Sequence, residues 1–208
     1  MSTTTPPARD GSTGDPARAR RPVRIVVTGS ESTGKTTLSE TLAGTLGTLW
    51  VPEFSRQYAE QAGRALTAAD VEPIARGQIA AEDAAIIAWQ ARFGTTAHAS
   101  PLVFDTDLVS TTVYAEHYYG DCPPWILAAA GDRLADLYLL CEPDLPWMAD
   151  RIRDRRDERR QLHAAFRARL QQLGAPGVRS ITGSGAARLG RAGALVHAFL
   201  DERGPITG

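Results

Sequence analysis

Short apolar runs alternate with longer stretches in which apolar residues recur at helical spacing. Val23 to Val27 reads as a buried strand, within a first strand at about 23–28. A second, short strand is predicted at about 48–52, a third at Leu102-Val103-Phe104, a fourth at Leu137 to Cys141, and a fifth at Val178 to Thr182. Helical patterns run from Thr36 to Leu46, through 70–92, through an Arg-rich stretch at about 148–173, and from Gly183-Ser184-Gly185 to about 202. Strands alternating with helices imply a parallel sheet with crossover helices on both faces, an α/β fold. In such sheets ligands bind at the carboxyl ends of the strands. The polar and glycine-rich segments fall there: Gly29–Thr36, Glu53–Arg56, Asp105–Asp107, Glu142–Asp144 and Gly183–Gly185.

The first of these is Gly29-Ser30-Glu31-Ser32-Thr33-Gly34-Lys35-Thr36-Thr37, between a strand and a helix. Lys35 is the only lysine among the 23 Lys and Arg residues. A compact ammonium stands where a P-loop needs one. Loop N–H groups cradle phosphates at a helix N-terminus, the lysine reaches the β- and γ-phosphates, and the Thr36 hydroxyl ligates Mg²⁺. ATP and Mg²⁺ are therefore the expected cofactors. The expected fold is a P-loop NTPase three-layer sandwich with a five-stranded parallel sheet, similar to nucleoside kinases.

Length and composition narrow the rest. With 208 residues and 43% hydrophobic content, the chain reads as one domain. A net charge of −1 gives no bulk attraction to nucleic acid or anionic membrane. No apolar stretch reaches 18 residues, and the N-terminus has no secretory h-region. A cytoplasmic location fits, and Cys122 and Cys141 have no metal-ligand spacing. Residues 1–22 are rich in Ser, Thr, Pro, Gly and Arg and are expected to be a disordered tail, leaving 23–203 as the P-loop domain. Nothing indicates the oligomeric state.

The chain has no asparagine and no second lysine, so a guanine-reading Asn/Thr-Lys-x-Asp motif is absent. Asp105 is followed by Thr106, not by the glutamate of a motor ATPase. A small-molecule kinase needs a carboxylate near the acceptor hydroxyl, a cation for substrate and an arginine lid, and each has a candidate. Glu53 is a candidate base and Arg56 a candidate substrate ligand, favoured over a surface i,i+3 ion pair because the second strand delivers them to the cleft. Asp105 is expected to hold Mg²⁺ as a Walker-B aspartate. Asp107 either acts at the site, where it is an alternative to Glu53 as the base, or caps the following helix. In the Arg-rich stretch Arg153 is the first lid candidate, then Arg159 or Arg160, although mixed charge also suits a solvated helix face. Tyr114, Tyr118, Tyr119, Trp125 and Trp147 could stack on a ring or simply form a wall.

The run 29–37, Pro-Glu-Phe-Ser-Arg-Gln-Tyr (52–58), Phe-Asp-Thr-Asp-Leu (104–108), Asp136-Leu-Tyr-Leu-Leu, Pro-Trp-Met-Ala-Asp-Arg-Ile-Arg (146–153) and Ile-Thr-Gly (181–183) resembles the ribosylnicotinamide kinase domain of bifunctional bacterial NAD-biosynthesis proteins and the small stand-alone ATPases grouped with it. The resemblance covers about 23–200. It implies Mg·ATP-dependent phosphorylation of the 5′-hydroxyl of nicotinamide riboside, giving nicotinamide mononucleotide. It assigns Lys35 and Thr36 to ATP and Mg²⁺, and Glu53, Arg56, Asp105 and Asp107 to the riboside and metal. Arg153 goes to the lid and Gly183 to the vicinity of adenine. The family pattern has an aromatic where this chain has Pro52, and a ring-stacking tyrosine near Gly77–Ala81, where this chain has none. Arg151 stands where glycine is common. Trp50, Trp89 or Trp125 are the substitutes expected for the ring sandwich. Another nucleoside or small alcohol as acceptor, or a nucleotide-switched regulatory ATPase with no acceptor, are the alternatives.

Overall fold

The computed structural model describes residues 21–94, 100–146 and 159–203. Its strands are β1 (Val23–Thr28), β2 (Trp50–Val51), β3 (Pro101–Asp105), β4 (Leu137–Cys141) and β5 (Val178–Ile181). Its helices are α1 (Lys35–Leu46), α2 (Phe54–Ala62), α3 (Val71–Phe93), α4 (Leu108–Tyr119), α5 (Pro124–Asp132), α6 (Arg159–Gln172) and α7 (Gly185–Glu202). All strand pairs are parallel, in the order β2-β3-β1-β4-β5. The expected five-stranded parallel α/β sandwich is therefore present. The second strand is shorter than its apolar run, because only Trp50 and Val51 pair with Val103 and Phe104. The Arg-rich helix is described only from Arg159. The tail 1–20 and residues 147–158, with Trp147, Arg151 and Arg153, lie outside the described residues. Arg21, grouped with the tail by composition, is described and makes a bidentate bond to Asp136 at 2.9 Å.

Central strands buried on both faces carry continuous apolar runs, and successive side chains point to opposite layers. Val23, Ile25, Val27, Val103, Leu137 and Leu139 pack with Leu38 and Leu42 of α1 and Ala192 and Val196 of α7. Val26, Leu102, Phe104 and Tyr138 face the opposite way, toward α3, α4 and α5. Leu140 meets Val113 of α4 and Leu162 and Phe166 of α6. Gly77 of α3 makes room for α2: a Cβ there would lie 2.0 Å from the Phe54 ring.

Asp136 anchors the amino end of the sheet. Its carboxylate accepts from Arg21, from the Arg24 backbone N–H at 2.9 Å and from Arg203 at 2.8 Å. Burial pushes this carboxyl up, but the Arg21, Arg24 and Arg203 donors outweigh it and hold it below its ordinary value. A depressed acid contributes stability that is present above its unfolded pKa and lost as pH falls through its folded one. Asp136→Asn is expected to destabilise the protein by about 2 kcal/mol at pH 7. In denaturant titrations the gap to wild type should close as pH drops below about 4.

Candidate nucleotide and acceptor site

The chain leaves β1 through Gly29, at φ 132°. A Cβ at Gly29 would lie 2.8 Å from the Cys141 carbonyl oxygen of β4, so only glycine lets the loop leave the sheet there. Ser32 (φ 53°) and Gly34 (φ 74°) are left-handed. With Thr33 outside that region between them, backbone N–H groups turn to one side and form an anion-binding nest. Thr33 Oγ1 donates to the Ser30 carbonyl at 2.8 Å, and Lys35 Nζ to the same oxygen at 3.0 Å. The first turn of α1 has neither a side-chain cap nor an acidic residue, so its N–H groups and positive dipole end face the cleft. That arrangement suits a phosphate chain.

A broad cleft of about 1510 Å³ opens over this loop. Ser32 to Leu38 line it on one side, Glu53, Arg56 and Arg64 on another, and Leu145, Gly185 and Arg188 on a third. Gly183 is not among the lining residues. It shapes the turn beneath them, giving its N–H to Asp144 at 2.7 Å and its carbonyl to Arg188 at 2.6 Å. Gly29, Ser30 and Glu31 likewise stand behind the lining. The Glu31 carboxylate accepts from the Tyr118 hydroxyl at 2.6 Å.

The carboxyl ends of β2 and β3 bring Glu53 and Asp105 beside Lys35, Thr36 and Arg56. Asp105 is fully buried, and neither carboxylate oxygen makes a close-geometry hydrogen bond to a described residue, although the Thr36 hydroxyl lies near enough to pull its pKa down. Burial, then the charge of Glu53, pushes its carboxyl up to about 6 against the opposing pull of Lys35, Thr36 and Arg56. An orphaned buried carboxylate beside a threonine hydroxyl is a hard-oxygen donor set. It suits Mg²⁺, which keeps waters and needs few protein ligands. Among the described residues no group of three or more His, Cys, Asp or Glu forms a closed metal cage. Thr106 follows at φ 65°, a rare conformation for a β-branched residue, and its N–H donates to the Val27 carbonyl at 3.0 Å.

Glu53 is buried, accepts from Ser55 Oγ at 2.6 Å and lies 3.9 Å from Arg56 Nε. Behind it lies a second cavity of about 250 Å³, lined by Thr106, Ser110, Thr111, Gln78, Ile74, Tyr114, Tyr118 and Tyr119 among others. Glu53 and Ala65 border both cavities. The tyrosines of α4 thus supply an aromatic wall, with the Tyr114 and Tyr118 rings stacked at 5.8 Å. Helical spacing alone left them undecided between wall and ring contact, and none of the tryptophans expected as substitutes takes this place. Trp125 sits on α5 under the Arg76 guanidinium at 4.6 Å, Trp89 is in the core, and Trp50 donates to Ser39 Oγ at 3.1 Å. Pro52 is exposed.

Asp107 is placed differently from Asp105. It caps α4 through the Val109 N–H at 3.0 Å and accepts from the buried Tyr138 hydroxyl at 2.7 Å. Burial, with the Glu82 charge, raises it to about 6, but it borders neither cavity. Arg159 and Arg188 reach the phosphate loop, and only Arg159 was singled out by sequence, as one of two secondary lid candidates. Arg188 has no motif around it; its lone position in an apolar helix face was the available signal.

The AAA domain model matches residues 24–188. The trifunctional NAD biosynthesis/regulator proteins NadR of Salmonella typhimurium and Escherichia coli are each 31% identical over 134 residues, 62% of this chain and 30% of theirs. The chain thus spans under a third of the curated relatives it matches. A crystal structure of NadR in complex with NR superposes with a TM-score of 0.72 at 24% identity, covering 89% of this chain and 52% of that one. Thymidylate kinase from Ehrlichia chaffeensis gives 0.60 at 14%, covering 86% and 98%. These likenesses establish a kinase-like P-loop fold.

Asp105 carries a sharp stability signature. An acid whose folded pKa is raised destabilises the fold fully above that pKa, and the penalty disappears as pH falls toward the unfolded value. Without nucleotide or metal, Asp105→Asn is expected to stabilise the protein by about 2 kcal/mol at pH 8. The gain should shrink between pH 6 and 4 in urea titrations. By its match over residues 24–188, the chain belongs to the AAA domain family of P-loop nucleotide-binding proteins.

Proposed function

We propose that this chain is an ATP-dependent phosphotransferase acting on a nucleoside hydroxyl, with nicotinamide riboside the acceptor and nicotinamide mononucleotide the product. The observation that carries the reading is Glu53, a buried carboxylate on the wall shared by a phosphate-binding cleft and a smaller aromatic-lined cavity. A nucleoside base against Tyr114 and Tyr118 would direct its sugar toward Glu53, and the likeness to NadR supplies the choice of acceptor.

In this reading Glu53 accepts the proton of the attacking hydroxyl. Arg56 orients the sugar beside it. The loop N–H groups and Lys35 hold the nucleotide phosphates and stabilise charge on the transferring group. Thr36 and Asp105 would hold Mg²⁺, which neutralises phosphate charge when bound. Arg153 remains the proposed lid residue. Asp107 supports the site by fixing the start of α4, which carries the aromatic wall. A second reading, with another nucleoside as acceptor, is favoured by the aromatic wall coming from α4 while Pro52 is exposed.

Incubation with Mg·ATP and a nucleoside panel, read by product mass, tests both. Nicotinamide riboside should gain one phosphate. Turnover confined to another nucleoside would select the second reading, and ATP hydrolysis independent of any acceptor would reject both. Glu53→Gln should lower kcat by about 100-fold. Lys35→Ala should lower it further with the fold intact, and near-normal turnover in that variant would remove the phosphate-loop mechanism.

A further inference from the structure

The carbonyls of the phosphate loop are gripped by two buried arginines from different helices. Arg159, at the start of α6, donates to the Ser32 carbonyl at 2.9 Å and to the Leu145 carbonyl at 2.8 Å. Arg188, in α7, donates to the Thr33 carbonyl at 3.0 Å and the Glu142 carbonyl at 3.4 Å. Its other terminal nitrogen reaches Asp144 Oδ1 at 2.8 Å and the Gly183 carbonyl at 2.6 Å. The two residues are 8% and 3% exposed.

Burying a guanidinium is costly unless its donors are satisfied, so these placements need a reason. The loop provides one. Its left-handed, ordinary, left-handed sequence at Ser32, Thr33 and Gly34 sends N–H groups one way and carbonyls the other. Ser32 is not glycine, and such a conformation persists only where its surroundings over-determine it. The carbonyls of Ser32 and Thr33 are the ones the arginines hold. Lys35 and Thr33 pin the Ser30 carbonyl from within the loop.

We infer that Arg159 and Arg188 are positioning residues: they clamp consecutive loop carbonyls, Arg159 from outside the cleft and Arg188 from its wall, so that the amides already face the phosphate site before nucleotide arrives. Pre-ordering lowers the entropic cost of binding. The inference rests on nucleotide binding by the loop and is independent of the acceptor.

Two measurements on the full chain test it: ADP affinity by calorimetry, and amide hydrogen exchange of residues 30–36 in the nucleotide-free protein. Arg159→Met and Arg188→Met are expected to weaken ADP at least tenfold and to speed exchange in the loop while the strands stay protected. Arg159→Lys and Arg188→Lys keep the charge but not the planar fork that bridges separate carbonyls. They should lose nearly as much ADP affinity as the methionine variants, and they carry the test if those fail to fold. Lysine variants that bind ADP like wild type would reduce the effect to charge alone and overturn the inference. So would exchange rising equally across the strands, or ADP affinity unchanged in all four variants. None of these outcomes depends on whether nicotinamide riboside is phosphorylated.

Discussion

The placing of β1 between β3 and β4 governs everything at the carboxyl edge of the sheet. Parallel pairing sends all five strand ends to one side. The central strand therefore delivers its loop into the middle of whatever the neighbours deliver. The register pairs Val27 with Asp105 on one side and with Leu139 on the other, so the phosphate loop, the buried aspartate and the turn after β4 are neighbours by construction. Gly29 marks how close this is. The backbones of β1 and β4 leave the sheet together with no space for a methyl group between them.

Delivery to one edge concentrates charge. The charge of Glu53 adds to the burial that raises Asp105, while Lys35, Thr36 and Arg56 offset it only in part. The amino end of the sheet has the opposite character. There Asp136 is matched by Arg21, Arg203 and a backbone N–H, and its carboxyl is held low. One end of the molecule has its buried acid held ionised by donors; at the other, burial and a like charge raise the buried acid. This asymmetry separates the two carboxylates more clearly than depth of burial does, since both are buried.

Much of this was legible in the sequence, for identifiable reasons. β1, β3 and β4 are buried on both faces, so they appear as largely apolar runs, interrupted in β1 by Arg24. The phosphate loop is one continuous segment whose glycines and lysine are fixed by backbone geometry. Asp105, the last residue of β3, and Asp107, the cap of the next helix, lie only two residues apart, so pattern alone could not decide whether Asp107 also acts at the site. Their difference arises from what lies across the fold: Tyr138 on β4 claims Asp107, whereas Asp105 has only the neighbouring Thr36 hydroxyl, Lys35 and Arg56 to offset its burial. The aromatic wall was hidden for the same reason. Tyr114 and Tyr118 have the spacing of any core-facing helix. Only the packing of α4 against α3 and α6 turns them toward the cavity that Glu53 borders. Gly77, where an aromatic was looked for, is occupied in space by the Phe54 ring. Arg188 is four contacts reaching segments from residue 33 to residue 183, and no local pattern encodes such a span.

Lys35 is the only lysine of the sequence, and it is 8% exposed at the floor of the cleft. Every other basic side chain that carries a permanent charge is a guanidinium, which amine-directed reagents leave alone. The side-chain amine chemistry of the whole chain is thus confined to one atom at the phosphate site. Acylation or reductive methylation of that amine reports on the loop alone, against a background that contains no other side-chain amine, and any nucleotide seated in the cleft shields it.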